Sequence, residues 1–183
     1  MQDDSLIFLL RHGQISGSTE KRFIGRTDIP LDDTGLLQAR YWRTVFSEFP
    51  LDAVYSSYLQ RCDHTARQIA GKRPVITADA LNEINMGQWD GKTFEEIKAR
   101  YPEEFIKRGE SLSFYRPPGG ESFQDLSNRV LAFFNDILVK KKERTLIVTH
   151  AGVIRVILCH LLNLPLKDLI QIKPGYGELF ILG

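Results

Sequence analysis

Two unbroken apolar runs stand out along the chain: Leu6-Ile7-Phe8-Leu9-Leu10, and Leu146-Ile147-Val148 within the stretch 145–149. Consecutive apolar residues suit a strand covered on both faces, so both runs predict central strands of a parallel core. Ala53-Val54-Tyr55 and the stretches 74–77, 169–172 and 179–182 predict further strands, the last two closing around a Gly175-Tyr176-Gly177 turn. Between them the apolar spacing changes to three and four, the helical period. Leu37, Tyr41 and Val45 predict a first helix, N-capped by Thr34 and ending near Pro50. A second helix covers about 59–70. Thr93-Phe94-Glu95-Glu96 has the form of a capping box and opens a third, bearing Phe94, Ile97 and Tyr101. Pro102 interrupts it, and another helical segment runs through Lys107. After the break at Pro117-Pro118-Gly119-Gly120, Ser122 opens a long helix. Its Phe123, Leu126, Val130, Phe133, Phe134, Ile137 and Leu138 form one core stripe. A last helix spans 152–163, with Pro165 beyond it. Strands alternating with helices over short connections imply an α/β domain.

Three stretches fall outside both periods. Residues 14–33 read as too polar for core and longer than an ordinary connection, which points to a functional loop. Residues 81–91 carry Trp89 between Gly87 and Gly91, the mark of a shaped loop. The run Lys140-Lys141-Lys142 reads as a solvated helix end that complements the helix dipole.

Composition narrows the classes. The 183 residues suit one domain, long enough to bury roughly 70% of the surface exposed by the unfolded chain. A net charge of +1 gives no support to a nucleic-acid or membrane partner. Cys62 and Cys159 are far apart and unpatterned, which fits a reduced compartment better than a disulfide framework. Met1-Gln2-Asp3-Asp4 is acidic where a secretory signal would be basic, and no apolar run approaches the ~18 residues of a membrane span. A cytoplasmic protein is expected; whether it is a monomer or a homodimer is left open.

The candidate chemistry lies at the strand ends. In α/β domains ligands gather beyond the carboxyl ends of the strands. Arg11 and His12 follow the first apolar run directly, and His150 closes the second in His150-Ala151-Gly152, so two of four histidines end predicted core strands. Arg61 falls in the first turn of the helix after the 53–55 strand, and Glu83 sits in the shaped loop. Breaking a phosphate monoester requires a nucleophile, cationic clamps on the phosphoryl oxygens and a proton for the departing alkoxide. A neutral imidazole at His12 can attack phosphorus and form a phosphohistidine. Arg11 and Arg61 can grip oxygens, each charge-assisted bond being worth about 1.5–3 kcal/mol. Backbone amides at Ala151 and Gly152, at a helix N-terminus, favour an anion. Glu83 can lend the proton.

Other patterns fail on spacing. Gly87 and Gly91 before Lys92-Thr93 are one residue too close for a nucleotide-binding P-loop. Cys62 and Arg67 are likewise one residue short of the cysteine-dependent phosphatase loop, so Cys62 reads as core packing. No HExxH or paired-cysteine spacing supports a metal. His64 and His160, inside predicted helices, read as structural.

Leu10-Arg11-His12-Gly13-Gln14, the segment from Ser56 through Arg61 to Ala66, Leu81-Asn82-Glu83 with Gly87 and Trp89, and Val148-Thr149-His150-Ala151-Gly152 occur in the order found in the histidine phosphatase superfamily. The chain resembles that family, also called phosphoglycerate mutase-like, over nearly its whole length. The resemblance implies a three-layer α/β/α sandwich with a mixed, mostly parallel sheet and a small cap from about 84–118. It also implies phosphorylation of His12, no metal or other cofactor, and a small phosphorylated metabolite as substrate. Besides Arg11, His12, Arg61, Glu83 and His150, it places Gln14, Ser18, Gly25 and Ala151 in substrate binding. Ser18 stands where the family commonly carries Asn, and its hydroxyl is shorter and donates only one bond. A short chain with Ala151-Gly152-Val153 after His150 is similar to the family's phosphatases more than to its mutases. The stretches 23–31 and 119–123 resemble α-ribazole phosphatases of cobalamin nucleotide-loop assembly, and are shared with phosphoserine and sugar-phosphate phosphatases.

Overall fold

A computed structural model describes residues 5–140 and 144–183. Its sheet has five strands in the order β3-β2-β4-β1-β5. These are β1 (Leu6–Arg11), β2 (Ala53–Ser56), β3 (Ile76–Thr77), β4 (Arg144–Thr149) and β5 (Leu179–Leu182). Four run parallel, and β5 closes one edge antiparallel to β1. The two unbroken apolar runs are the central neighbours β1 and β4. Because successive side chains point to opposite faces, Ile7, Leu9 and Ile147 enter one core with the helices α5 (Phe123–Lys140) and α6 (Ala151–Leu161). Phe8, Leu10, Leu146 and Val148 enter the other, against α1 (Asp33–Glu48) and α2 (Gln60–Ala70). The expected three-layer α/β/α sandwich with a mixed, mostly parallel sheet is the observed architecture.

The chain departs from its sequence pattern in four places. The α1 cap is Asp32, whose carboxylate accepts the Gly35 N–H at 2.8 Å, and Thr34 lies inside the helix. Leu37 and Tyr41 are 63% and 62% exposed. The face that packs runs through Gly35, Ala39 and Phe46, and Gly35 lets the backbone of Gln14 approach where a side chain would collide. Residues 14–33 are partly core after all: Ile15, Phe23 and Leu31 are buried, and bridges join Ile15 to Leu31 and Arg22 to Thr93. Residues 169–172 form no strand. Leu166–Gln171 is a 3₁₀ turn that buries Leu169, started by Asp168 N–H donating to the Pro165 carbonyl at 2.9 Å. Leu138, assigned to the α5 stripe, is 45% exposed, whereas Phe123, Leu126, Val130, Phe134 and Ile137 are buried.

Over 84–118 the capping box at Thr93 and Glu96 is formed and opens α3 (Phe94–Arg100), and Pro102 starts α4 (Pro102–Glu110) rather than only ending its predecessor. An aromatic cluster ties this segment to the 14–33 loop. Phe23 stacks on Phe94 at 4.1 Å between centroids and meets Trp89 at 5.2 Å, and Trp89 meets Tyr115 at 5.4 Å. Cys62 is buried as expected, whereas His64 and His160 are exposed on α2 and α6. Lys140 ends α5; Lys141 and Lys142 lie outside the described residues, as does the acidic start 1–4. Among the described residues, no helix is long and apolar enough to cross a membrane.

Candidate active site

The site follows from the register of the central strands. Arg11 of β1 lies opposite Thr149 of β4, so His12 and His150 leave neighbouring carboxyl ends together, with ring centroids 5.2 Å apart. His12 N–H donates to the Thr149 carbonyl at 3.0 Å, which fixes the turn out of β1. Gly13 is required there, because a side chain would strike the Gly35 backbone at the start of α1. One strand further, β2 ends at Ser56 and leads into α2, whose second residue is Arg61.

His12 is 3% exposed, and its Nδ1–H donates to the Gly13 carbonyl at 2.8 Å. That bond leaves Nε2 as the bare ring nitrogen. Burial, then the charges of Arg61 and Arg11, hold its pKa well below the ordinary histidine value, so the imidazole is neutral at pH 7. His150 is fully buried and is held neutral by the same burial and the Arg61 charge.

Arg61 is 1% exposed. Its Nε–H donates to His150 Nδ1 at 3.2 Å, and its terminal nitrogens donate to the carbonyls of Thr27 and Gly25, each at 2.8 Å. Those carbonyls are held by Asp90, whose carboxylate accepts the N–H groups of Gly25, Arg26 and Thr27 at 2.9, 2.7 and 3.0 Å. Three of the five guanidinium N–H groups are thereby bonded, leaving one on each terminal nitrogen for a ligand. Arg11 lies 3.7 Å above the centre of the Tyr176 ring and donates to the Pro174 carbonyl at 2.7 Å. Its buried Nε–H has no protein acceptor, a costly arrangement that a bound anion would relieve.

Glu83, 8% exposed, is held by two amides: Ile84 N–H on Oε1 at 2.9 Å and Gly152 N–H on Oε2 at 3.1 Å. The N-terminal amide of α6 at Gly152 is thus already committed to the carboxyl group of Glu83. Arg129 braces the loop from behind, donating to the carbonyls of Ala80 and Glu83 at 2.8 and 3.1 Å and pairing with Glu121 at 3.0 Å.

A cavity of about 570 Å³ opens in front of these groups. Arg11, Glu83, Ala151 and Ser18 line it; His12, Arg61 and His150 do not, though the His12 ring lies 5.5 Å, centroid to centroid, from that of the lining residue Tyr176. Gly25 contributes its carbonyl to Arg61. Gln14 is not brought to the cavity: its side chain donates to Asp32 at 3.0 Å and its N–H to Gln38. Arg108 and Arg155, which no motif singled out, also line the cavity. Arg155 stands one helical turn after Ala151, on the same face of α6, a spacing that points it to the site. Arg108, set over the Phe23 ring at 5.1 Å, carries no such signal.

The family model of the histidine phosphatase superfamily (branch 1) matches residues 7–183. A 2,3-bisphosphoglycerate-dependent phosphoglycerate mutase of Gloeobacter violaceus is 33% identical over 94% of this chain and 82% of its own length. Phosphoserine phosphatase 1 of Hydrogenobacter thermophilus is 32% identical over 88% of this chain and 78% of its own. The crystal structure of the α-ribazole phosphatase from Shigella flexneri superposes with a TM-score of 0.89 at 26% identity, covering 96% of this chain and 89% of that one. Fold, motif order and these likenesses agree: the chain belongs to the histidine phosphatase superfamily and is an enzyme of the histidine phosphatase type.

Proposed function

We propose that the chain is a metal-independent phosphomonoesterase that works through a phosphohistidine on His12. The carrying observation is a neutral, buried His12 whose Nδ1–H is tied to its own backbone, next to two arginines with uncommitted donors. Nε2 attacks phosphorus and the P–O bond to the leaving group breaks. Arg11 and Arg61 stabilise charge on the phosphoryl oxygens. Glu83, in its acid form, gives its proton to the departing alkoxide. Glu83 as carboxylate then takes a proton from water, which attacks the phosphohistidine, and phosphate leaves with His12 neutral again. His150 completes the seat of Arg61, and Ala151 and Ser18 face the bound ester. Residues 84–118 serve as a small cap over the leaving group.

Substrate choice within this class rests on less. Motifs in 23–31 and 119–123, together with the likeness to the Shigella structure, favour α-ribazole 5′-phosphate. A second reading, an ester bearing another anionic group such as phosphoserine, is favoured by Arg108 and Arg155 in the cavity wall. Brief quenching with ³²P-labelled ester should trap acid-labile label, absent in His12→Asn; unlabelled wild type turning over substrate would overturn the phosphohistidine. Comparing kcat/KM for α-ribazole 5′-phosphate, phosphoserine and sugar phosphates ranks the leaving groups.

A further inference from the structure

We propose that Ser57 and Asn82 are positioning residues that keep the proton of His150 on Nε2, so that Nδ1 stays bare to receive the Nε–H of Arg61. The polarity of the chain of contacts can be fixed from its far end. Asn82 Oδ1 accepts the backbone N–H of Tyr58 at 3.1 Å, while its Nδ2 donates to Asp79 Oδ1 at 3.0 Å. Those partners identify which amide atom is oxygen. Ser57 Oγ lies 2.7 Å from that oxygen. An amide oxygen carries no proton, so the hydroxyl must donate. Having given its one proton to Asn82, Ser57 can only accept from its other neighbours: Leu59 N–H at 3.2 Å and His150 Nε2 at 2.8 Å. Nε2 therefore bears the hydrogen.

The consequence lies on the other side of the ring. A neutral imidazole protonated on Nε2 has its lone pair on Nδ1, the atom that meets Arg61 Nε–H at 3.2 Å. With carbonyls of Gly25 and Thr27 on its remaining edges, the guanidinium is held from three directions. Only the Nε2–H tautomer closes the third, since a proton on Nδ1 would face the Nε–H donor to donor. The other atom near Nε2 is Cys62 Sγ at 3.3 Å, a weak acceptor that does not replace the hydroxyl.

The catalytic consequence rests on the phosphomonoesterase reading; the tautomer does not. Ring ¹⁵N spectra of histidine-labelled protein, with His150 assigned by its loss in His150→Gln, should show Nε2 protonated and Nδ1 bare. Ser57→Ala should move the proton to Nδ1. It should also lower kcat/KM for p-nitrophenyl phosphate by about tenfold to about a hundredfold, the effect of orphaning a buried donor, and weaken orthovanadate binding in parallel. Ser57→Thr should restore both readouts. Asn82→Ala reaches the same end by another route, freeing the Ser57 hydroxyl to donate to Nε2. A wild-type ring protonated on Nδ1 overturns the proposal without any variant, as does Ser57→Ala with an unchanged tautomer and unchanged vanadate affinity. Should the wild type hydrolyse no phosphate ester, the phosphomonoesterase reading falls while the spectra still decide the tautomer.

Discussion

Replacing Gly152 by Ala isolates proton donation from phosphate binding. Gly152 is the second residue of α6, buried, and donates its N–H to Glu83 at 3.1 Å. A methyl group there would collide with Glu83 Oε1, and Leu126 Cδ2, 3.4 Å from the new carbon, blocks retreat on that side. The backbone is helical, so alanine itself is favourable by roughly 0.5–1 kcal/mol. What must move is the carboxylate. Leaving its two amide donors forfeits both hydrogen bonds, about 0.5–1.5 kcal/mol each, and the displaced group is no longer aimed at the cavity. General acid–base catalysis typically supplies about 10²–10⁴-fold. For an alkyl phosphate, whose alkoxide leaves badly, kcat/KM should fall by about 10²-fold or more. For p-nitrophenyl phosphate, whose phenolate departs without a proton, the fall should stay within about threefold. Steady-state kinetics on both esters, alongside Glu83→Gln as the reference loss of the acid, measures the split. Equal losses on the two esters in either variant would refute the assignment of Glu83.

Three further outcomes are expected. Arg61→Ala should raise KM and lower kcat together, because in the proposed mechanism the guanidinium meets phosphoryl oxygens in ground and transition states alike, and steady-state kinetics reads both. His12 and His150 have folded pKa values held below the unfolded value of about 6.5, chiefly by burial. The unfolded chain then binds more protons below pH 6.5, so stability holds above that pH and falls beneath it. The slope reaches at most about 1.4 kcal/mol per pH unit for each histidine, and urea midpoints of wild type and His12→Asn between about pH 7.5 and 5 should show the variant's shallower fall. Burial pushes the thiols of Cys62 and Cys159 up, so neither should react with iodoacetamide at about pH 8 until the protein unfolds, a result mass spectrometry reads directly.

What was legible in the sequence depended on how many segments each feature needs. His12 and His150 could be placed because an unbroken apolar run announces a doubly covered strand, and one run suffices to locate its polar end. Arg61 followed from a strand and the first turn after it. The packing face of α1 could not be read the same way. Gly35 and Ala39 add little hydropathy, and Gly35 is buried because the Gln14 backbone crosses directly over it, a neighbour its own segment does not encode. Likewise Ile15, Phe23 and Leu31 are isolated apolar residues in a polar loop. They become core only where bridges and the aromatic cluster of Trp89 and Phe94 meet them.

The same distinction separates groups that do chemistry from groups that aim them. Arg61 owes its orientation to carbonyls from 25–27, which Asp90 holds, and to His150, which Ser57 and Asn82 hold. Each support comes from a different segment, and apart from His150, which closes a strand, none carries a residue pattern that chemistry alone would select. A buried guanidinium whose donors were left unpaired would be costly, so these supports are required by the placement of Arg61 itself. The reacting residues can therefore be found from strand ends one at a time, whereas their supports exist only once β1, β2 and β4 are side by side. Loss of a support should act through Arg61 and leave His12 chemically intact, which is why vanadate affinity and the His150 tautomer, rather than folding stability, report on it.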